Sequence, residues 1–162
     1  MDDDQTSDYS SDIIDMRADV IVRVALLGAI LGVIGWSLSE LLNKYVIEAL
    51  FCHNQSTTSL CLNSEVVSGN IALVIVAVVG IAGLVRLGVY RPMLVALAVV
   101  ACLWSISGWL TGLTWYEALG WTALVYMVAY LAFAWLVRPR NFVVVIMSLL
   151  TVIVVTRIIS TI

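Results

Sequence analysis

Histidine and lysine are nearly missing from this sequence: His53 and Lys44 are the only ones in 162 residues, and just 12% of the chain is charged. Soluble domains carry nearer a quarter charged residues. A water-soluble core of this size has too little volume to hide a composition that is 62% hydrophobic, with a mean hydropathy of +1.07. The single histidine lies outside every long apolar stretch. That excludes an intramembrane Ser–His protease and a haem ligated by histidine within the membrane. His53 with Cys52 and Cys61 offers three potential metal ligands, where a structural zinc site wants four. No phosphate-binding loop or dinucleotide fingerprint is present, since Gly80-Ile81-Ala82-Gly83 sits inside an apolar run. A net charge of −3 with no basic cluster offers nothing to nucleic acid. No internal repeat supports an inverted-repeat transporter core. The expectation is a chain with no catalytic residue, no cofactor, no metal site and no evident small-molecule substrate.

What the sequence does have is five apolar stretches, roughly 20–38, 66–89, 92–111, 115–137 and 141–162. Each has about the 17–25 residues a helix needs to cross a bilayer core. The expected fold is therefore all-α, a polytopic transmembrane helical bundle in contact with lipid. The last stretch is the ambiguous one: 14 of its 22 residues are Val, Ile or Thr. In water that bias favours a strand. A lone strand in lipid leaves its backbone groups unpaired, so a helix is expected there, with Arg157 reaching the interface. Four spans plus a surface-lying C-terminal tail is the alternative.

Charge orients the bundle. Arg17, Arg23, Arg86, Arg91, Arg138 and Arg140 fall on one side when the five stretches alternate, against Lys44 and Arg157 on the other. The positive-inside rule then places the N-terminus in the cytoplasm and the C-terminus outside, as in a plasma-membrane protein. Residues 1–17 read as an acidic, disordered cytoplasmic tail, because residues 1–19 hold seven Asp against Arg17 alone. This tail has no basic segment of the kind that opens a signal peptide. Residues 18–162 form one transmembrane domain, with an external loop at 52–65.

Two features agree with that orientation. Cys52 and Cys61 stand close enough in sequence to form a disulfide, a bond that persists outside the cell. Asn54-Gln55-Ser56 matches the N-glycosylation pattern, which is chemically usable only outside. Cys102, within the third stretch, is expected to be a small packing residue.

Four further local readings follow. Glu40, Lys44 and Glu48 recur every four residues beyond the first apolar stretch, with Asn43 beside them. They predict an amphipathic helical continuation over 39–51, with a weak ion-pair ladder or a polar face for a partner. Thr114 and Glu117 fit a capping box at the start of the fourth helix. Trp36, Trp109, Trp115 and Tyr116 mark one membrane boundary, and Tyr90 and Trp135 the other, while Trp104 and Trp121 are expected to pack inside the bundle. Gly28 with Gly32, and Gly108 with Gly112, match the small-xxx-small spacing that lets helices approach closely.

The reading that follows is a non-catalytic, multi-pass membrane protein serving as a structural or accessory subunit of a larger assembly, in a cellular complex or a virion envelope. Its partners would be other membrane subunits or copies of itself. The alternative is a small homo-oligomeric channel or transporter, with polar residues such as Ser37, Glu40, Asn43 and Lys44 lining the path.

Overall fold

The structure is a computed structural model that describes residues 18–52, 59–104, 106–110, 112–137, 143, 146–147 and 149–154. The acidic tail, His53, Asn54, Arg138, Arg140, Arg157 and most of the fifth apolar stretch lie outside the described residues. The described chain is all-α. Its order is α1 (Ala18–Leu42), a π-helical segment (Asn43–Phe51), α2 (Ser59–Leu62), α3 (Ser64–Arg86), α4 (Pro92–Leu103), α5 (Ser107–Leu110) and α6 (Trp115–Leu136). Among the described residues, three helical stretches are long and apolar enough to cross a membrane: Asp19–Leu50, Ser64–Arg86 and Trp115–Leu136.

α1 is the hub of the bundle. It packs most extensively against α6 and next against α3, while α4 closes the ring between α3 and α6. The inward face of α1 carries Val24, Gly28, Leu31, Gly32 and Gly35, all buried, in two rows spaced by three or four residues, 24–28–32–35 and 28–31–35. The outward face carries Ile21, Val22, Leu26, Ile30, Val33 and Ile34. Both faces are apolar because lipid surrounds the outer one. What separates them is size: small residues turn inward, where close backbone approach and van der Waals packing drive association, and branched residues turn outward. α3 follows the same rule, with Ser68, Ala72, Val76, Gly80 and Leu84 buried and Val74, Ile75, Val78 and Val79 exposed.

The α1–α6 contact leaves no spare volume. A Cβ added at Gly32 would lie 2.8 Å from Ala123 Cα and 2.9 Å from the Thr122 carbonyl oxygen, and one at Gly28 would lie 2.9 Å from Met127 Cα. Tyr126 and Tyr130 of α6 fill the centre of the bundle, Tyr130 with no exposed surface. A Cβ at Gly80 would collide with the Tyr130 hydroxyl.

The third apolar stretch departs from the expectation of one continuous span over 92–111. α4 ends at Leu103, and Trp104 takes up extended backbone (φ −57°, ψ 126°). Three-residue turns follow, with Ile106 N–H donating to the Leu103 carbonyl at 3.1 Å and Trp109 N–H to the Ile106 carbonyl at 3.0 Å, before α5 resumes. The 12 residues of α4 cover about 18 Å, well short of a bilayer core. Ser107 and Gly108 are weaker helix formers than the Ala- and Leu-rich run before them. The expected packing of Trp104 and Trp121 inside the bundle is also corrected: they are 41% and 55% exposed on the outer surface. An interior built on Gly and Ala brings the helices too close to admit an indole. Of the fifth stretch, residues 149–154 are helical, Leu149 is buried in the core cluster, and the Thr151 hydroxyl donates to the Met147 carbonyl at 2.8 Å.

Candidate functional site

The two ends of the bundle are built differently. At the arginine end, α3 passes to α4 through a tight turn in which Gly88 (φ 68°) and Arg91 (φ 55°) both adopt left-handed backbone. The Arg91 guanidinium lies 5.0 Å from the centre of the Tyr90 ring. At the opposite end, α1 runs on without a break into the π-helical segment, where Cys52 N–H donates to the Ile47 carbonyl five residues back, at 3.2 Å. Cys52 is bonded to Cys61, with 5.8 Å between their Cα atoms, so the end of the π-helical segment is tied to α2.

Widening the helix to five-residue bonding shifts the four-residue register of Glu40, Lys44 and Glu48. Among the described residues, no ion pair joins Lys44 to either glutamate, while Arg23 pairs with Asp19 at 4.0 Å on the exposed start of α1. The ladder expected from spacing does not form. Glu40 and Asn43 have a different setting.

Both line a cavity of about 420 Å³ toward the end of the bundle that carries the Cys52–Cys61 bond. Trp36, Ser39, Glu40 and Asn43 come from α1 and its continuation, Glu65 and Ser68 from α3, Ser107 and Leu110 from α5, and Trp115 and Ala118 from α6. Its floor is a serine contact: the hydroxyls of Ser39 and Ser68 lie 3.4 Å apart, and Ser68 also bonds the Glu65 carbonyl at 3.0 Å. A smaller recess of about 40 Å³ shares the Trp36, Ser39 and Ser107 walls and reaches Asn70, Thr122 and Tyr126. The Thr122 hydroxyl is occupied, donating to the Ala118 carbonyl at 2.7 Å.

The break after α4 borders this recess, which Leu103 and Ile106 line. Irregular backbone at membrane depth is tolerated where protein or a water-filled cavity covers it, and a helix end leaves carbonyls without helical partners. The cavity and the break therefore explain one another. Two side-chain oxygens at the cavity, Asn43 Oδ1 and Ser107 Oγ, are fully shielded from solvent yet have no hydrogen-bond partner.

The other sequence-selected residues are dispersed. Lys44 and Glu48 are exposed and lie outside the cavity lining. The Ser37 hydroxyl is turned back to the Val33 carbonyl at 2.9 Å. Gly28 and Gly32 face α6, Gly108 comes within contact distance of Val66, and Gly112, in the α5–α6 turn at φ 88°, joins Glu40 and Asn43 in the cavity lining. Cys102 is half-buried against the core. Thr114 and Glu117 form the capping box, with Thr114 N–H donating to Glu117 Oε2 at 3.2 Å. Sequence reasoning missed Glu65, Ser68, Ser107 and the inward role of Trp36. The one available signal was the run of Ser, Asn and Glu over 63–70, polar residues at the start of an otherwise apolar helix. No family model, no characterised protein and no solved structure matches this chain.

Proposed function

We propose that the chain is a non-catalytic, multi-pass accessory subunit of a larger membrane assembly. In this reading its N-terminus is cytoplasmic and its cysteine loop lies outside. The divided 92–110 segment and the 141–162 segment complete a five-crossing bundle. The observation that carries the reading is the closed interior. Glycines of α1 meet the α6 backbone, and Tyr126 and Tyr130 plug the centre. Arg23, Glu65, Arg86 and Glu117 stand near helix ends, and Glu40 stands where α1 passes into its π-helical continuation. A pump or secondary transporter places such groups near the midplane. The outward faces of α1, α3 and α6 present branched and aromatic side chains suited to lipid or to a neighbouring subunit.

A second reading, a small channel or transporter, is favoured by one observation: Glu40 and Asn43 of the first helix do line a polar cavity. Purification of a tagged chain in mild detergent separates the two. Stoichiometric co-purification of other membrane chains supports the accessory role. A symmetric homo-oligomer whose conductance falls in Glu40→Gln supports the channel and contradicts the accessory role.

A further inference from the structure

Tryptophan is distributed unevenly over the outer surface. α3 contains no aromatic residue, and its exposed positions from Ile71 to Val85 are aliphatic. α6 instead exposes Trp121 and Trp135, and α4 ends against an exposed Trp104. Indole rings gather where hydrocarbon gives way to water, because the ring is apolar and its N–H seeks a partner. Trp121 and Trp135 are fourteen residues apart in one helix, a rise of about 21 Å. α4 rises about 18 Å before it stops at Trp104. The two tryptophans stand at one level, since Leu103 and Ile106, flanking the break, share a recess with Thr122, the neighbour of Trp121. α3, by contrast, runs about 31 Å between its bounding charges Glu65 and Arg86, close to an ordinary hydrocarbon core of about 30 Å.

We propose that the α4–α6 face is a surface for a locally thinned bilayer. On this side the interface is drawn down to Trp104 and Trp121, at the end of the bundle that carries the Cys52–Cys61 bond. The break after α4 decides between this and an ordinary boundary at Trp115, twenty residues from Trp135. With the boundary at Trp115, the break would lie in hydrocarbon with Trp104 facing lipid. A helix end leaves carbonyls without helical partners, and lipid supplies no donor, so irregular backbone does not face the hydrocarbon. The recess covers the break from the inner side only. Lowering the interface by the six residues from Trp115 to Trp121, about 9 Å, brings the break and both tryptophans to headgroup level together. Bilayers thin in this way around short apolar surfaces at a modest cost for each ångström. Trp109, Trp115 and Tyr116, all exposed, then stand above the hydrocarbon.

The inference rests on α4 and α6 crossing the bilayer, part of the reading above, and not on whether the chain is an accessory subunit or a channel. The test is a cysteine scan of the full chain in intact membranes, in a Cys102→Ala background with the Cys52–Cys61 bond kept. The reagent is a membrane-impermeant maleimide, which attacks the thiolate and so needs water at the sulfur. Trp104→Cys and Trp121→Cys should label at rates comparable to Trp115→Cys. Leu97→Cys and Val128→Cys, also exposed but deeper on the same two helices, should stay unlabelled. A second measurement serves where a cysteine variant does not fold. In vesicles of lipid brominated near the headgroup or near the chain end, the emission lost in Trp121→Phe should be the part that the shallow bromines quench. Crossing is read separately: Tyr90→Cys and Trp109→Cys should label from opposite sides, and labelling from one side would remove the crossing of α4 itself. The thinned surface is overturned if Trp104→Cys and Trp121→Cys stay unlabelled while Trp115→Cys reacts. It is equally overturned if the Trp121 emission is quenched by the deep bromines, or by neither lipid, which would mean that protein covers this face.

Discussion

The two halves of the bundle solve the same problem in opposite ways. Toward the arginine end, α1 and α6 meet through glycine with no room for a methyl group, and Tyr130 fills the centre without any exposed surface. Toward the cysteine end the same helices part around a polar cavity, α4 breaks off, and a disulfide ties down the segment above. The sealed half owes its order to dispersion between close backbones, a packing that tolerates no added volume. In the polar half the break in α4 borders a recess through Leu103 and Ile106, while Trp104 at the break faces outward. Substitutions in the first half should therefore act on stability, and those in the second on solvent accessibility.

The sharpest contrast is between glycines. Gly32→Ala places a methyl group against α6 backbone and should lower stability by about 1–3 kcal/mol, with Gly32→Leu blocking assembly of the bundle altogether. Gly120, on the outer face of α6 with nothing within 4 Å, should instead gain about 0.5–1 kcal/mol as Gly120→Ala, because alanine is the better helix former. Thermal unfolding in a fixed detergent reads both. Equal effects at the two sites would break the distinction between a sealed interior and a lipid face.

Next in size is the disulfide. Cys52 and Cys61 should resist alkylation until reduced. Cys52→Ser should destabilise the π-helical segment and α2 by roughly 2–3 kcal/mol, since closing the loop restricts mainly the open chain. Hydrogen exchange should then rise over residues 43–64 and stay low in the inward face of α1 near Gly28. A uniform rise would mean that the two halves form a single cooperative unit.

Smaller effects come from the helix start and the surface. Thr114→Ala removes one half of the capping box and should cost about 1 kcal/mol in thermal unfolding. Asp19→Asn removes an exposed pair at 4.0 Å and should change stability by less than about 0.5 kcal/mol.

These differences also explain what could be read from the sequence. The helical membrane class, the Cys52–Cys61 bond and the Thr114–Glu117 cap depend on composition or short spacing, and all were legible. The inward face of each helix was harder, because lipid makes both faces apolar and removes the polar–apolar contrast that marks a face in water. Trp104 and Trp121 were misread for that reason: depth in a span does not say which way a side chain points. The cavity was half legible. Glu40 and Asn43 stood out as polar residues past the end of a hydrophobic run. Glu65 and Ser107 did not, because what joins them to Glu40 is the packing of α3 on α1 and of α5 on α3, a long-range arrangement with no local signature. The break after Leu103 was hidden by an unbroken run of apolar residues, although Ser107 and Gly108 lie just beyond it.

The most direct test of a sealed half beside an open one is cysteine accessibility in intact membranes. Glu40→Cys and Val76→Cys are each placed in a Cys102→Ala background with the Cys52–Cys61 bond left intact. A membrane-impermeant maleimide is then added from the side of the cysteine loop. Glu40→Cys, exposed at the cavity wall, should label rapidly, and Val76→Cys, buried against α1, should stay unlabelled until the protein is denatured. Labelling of both at similar rates, or of neither, would contradict the account.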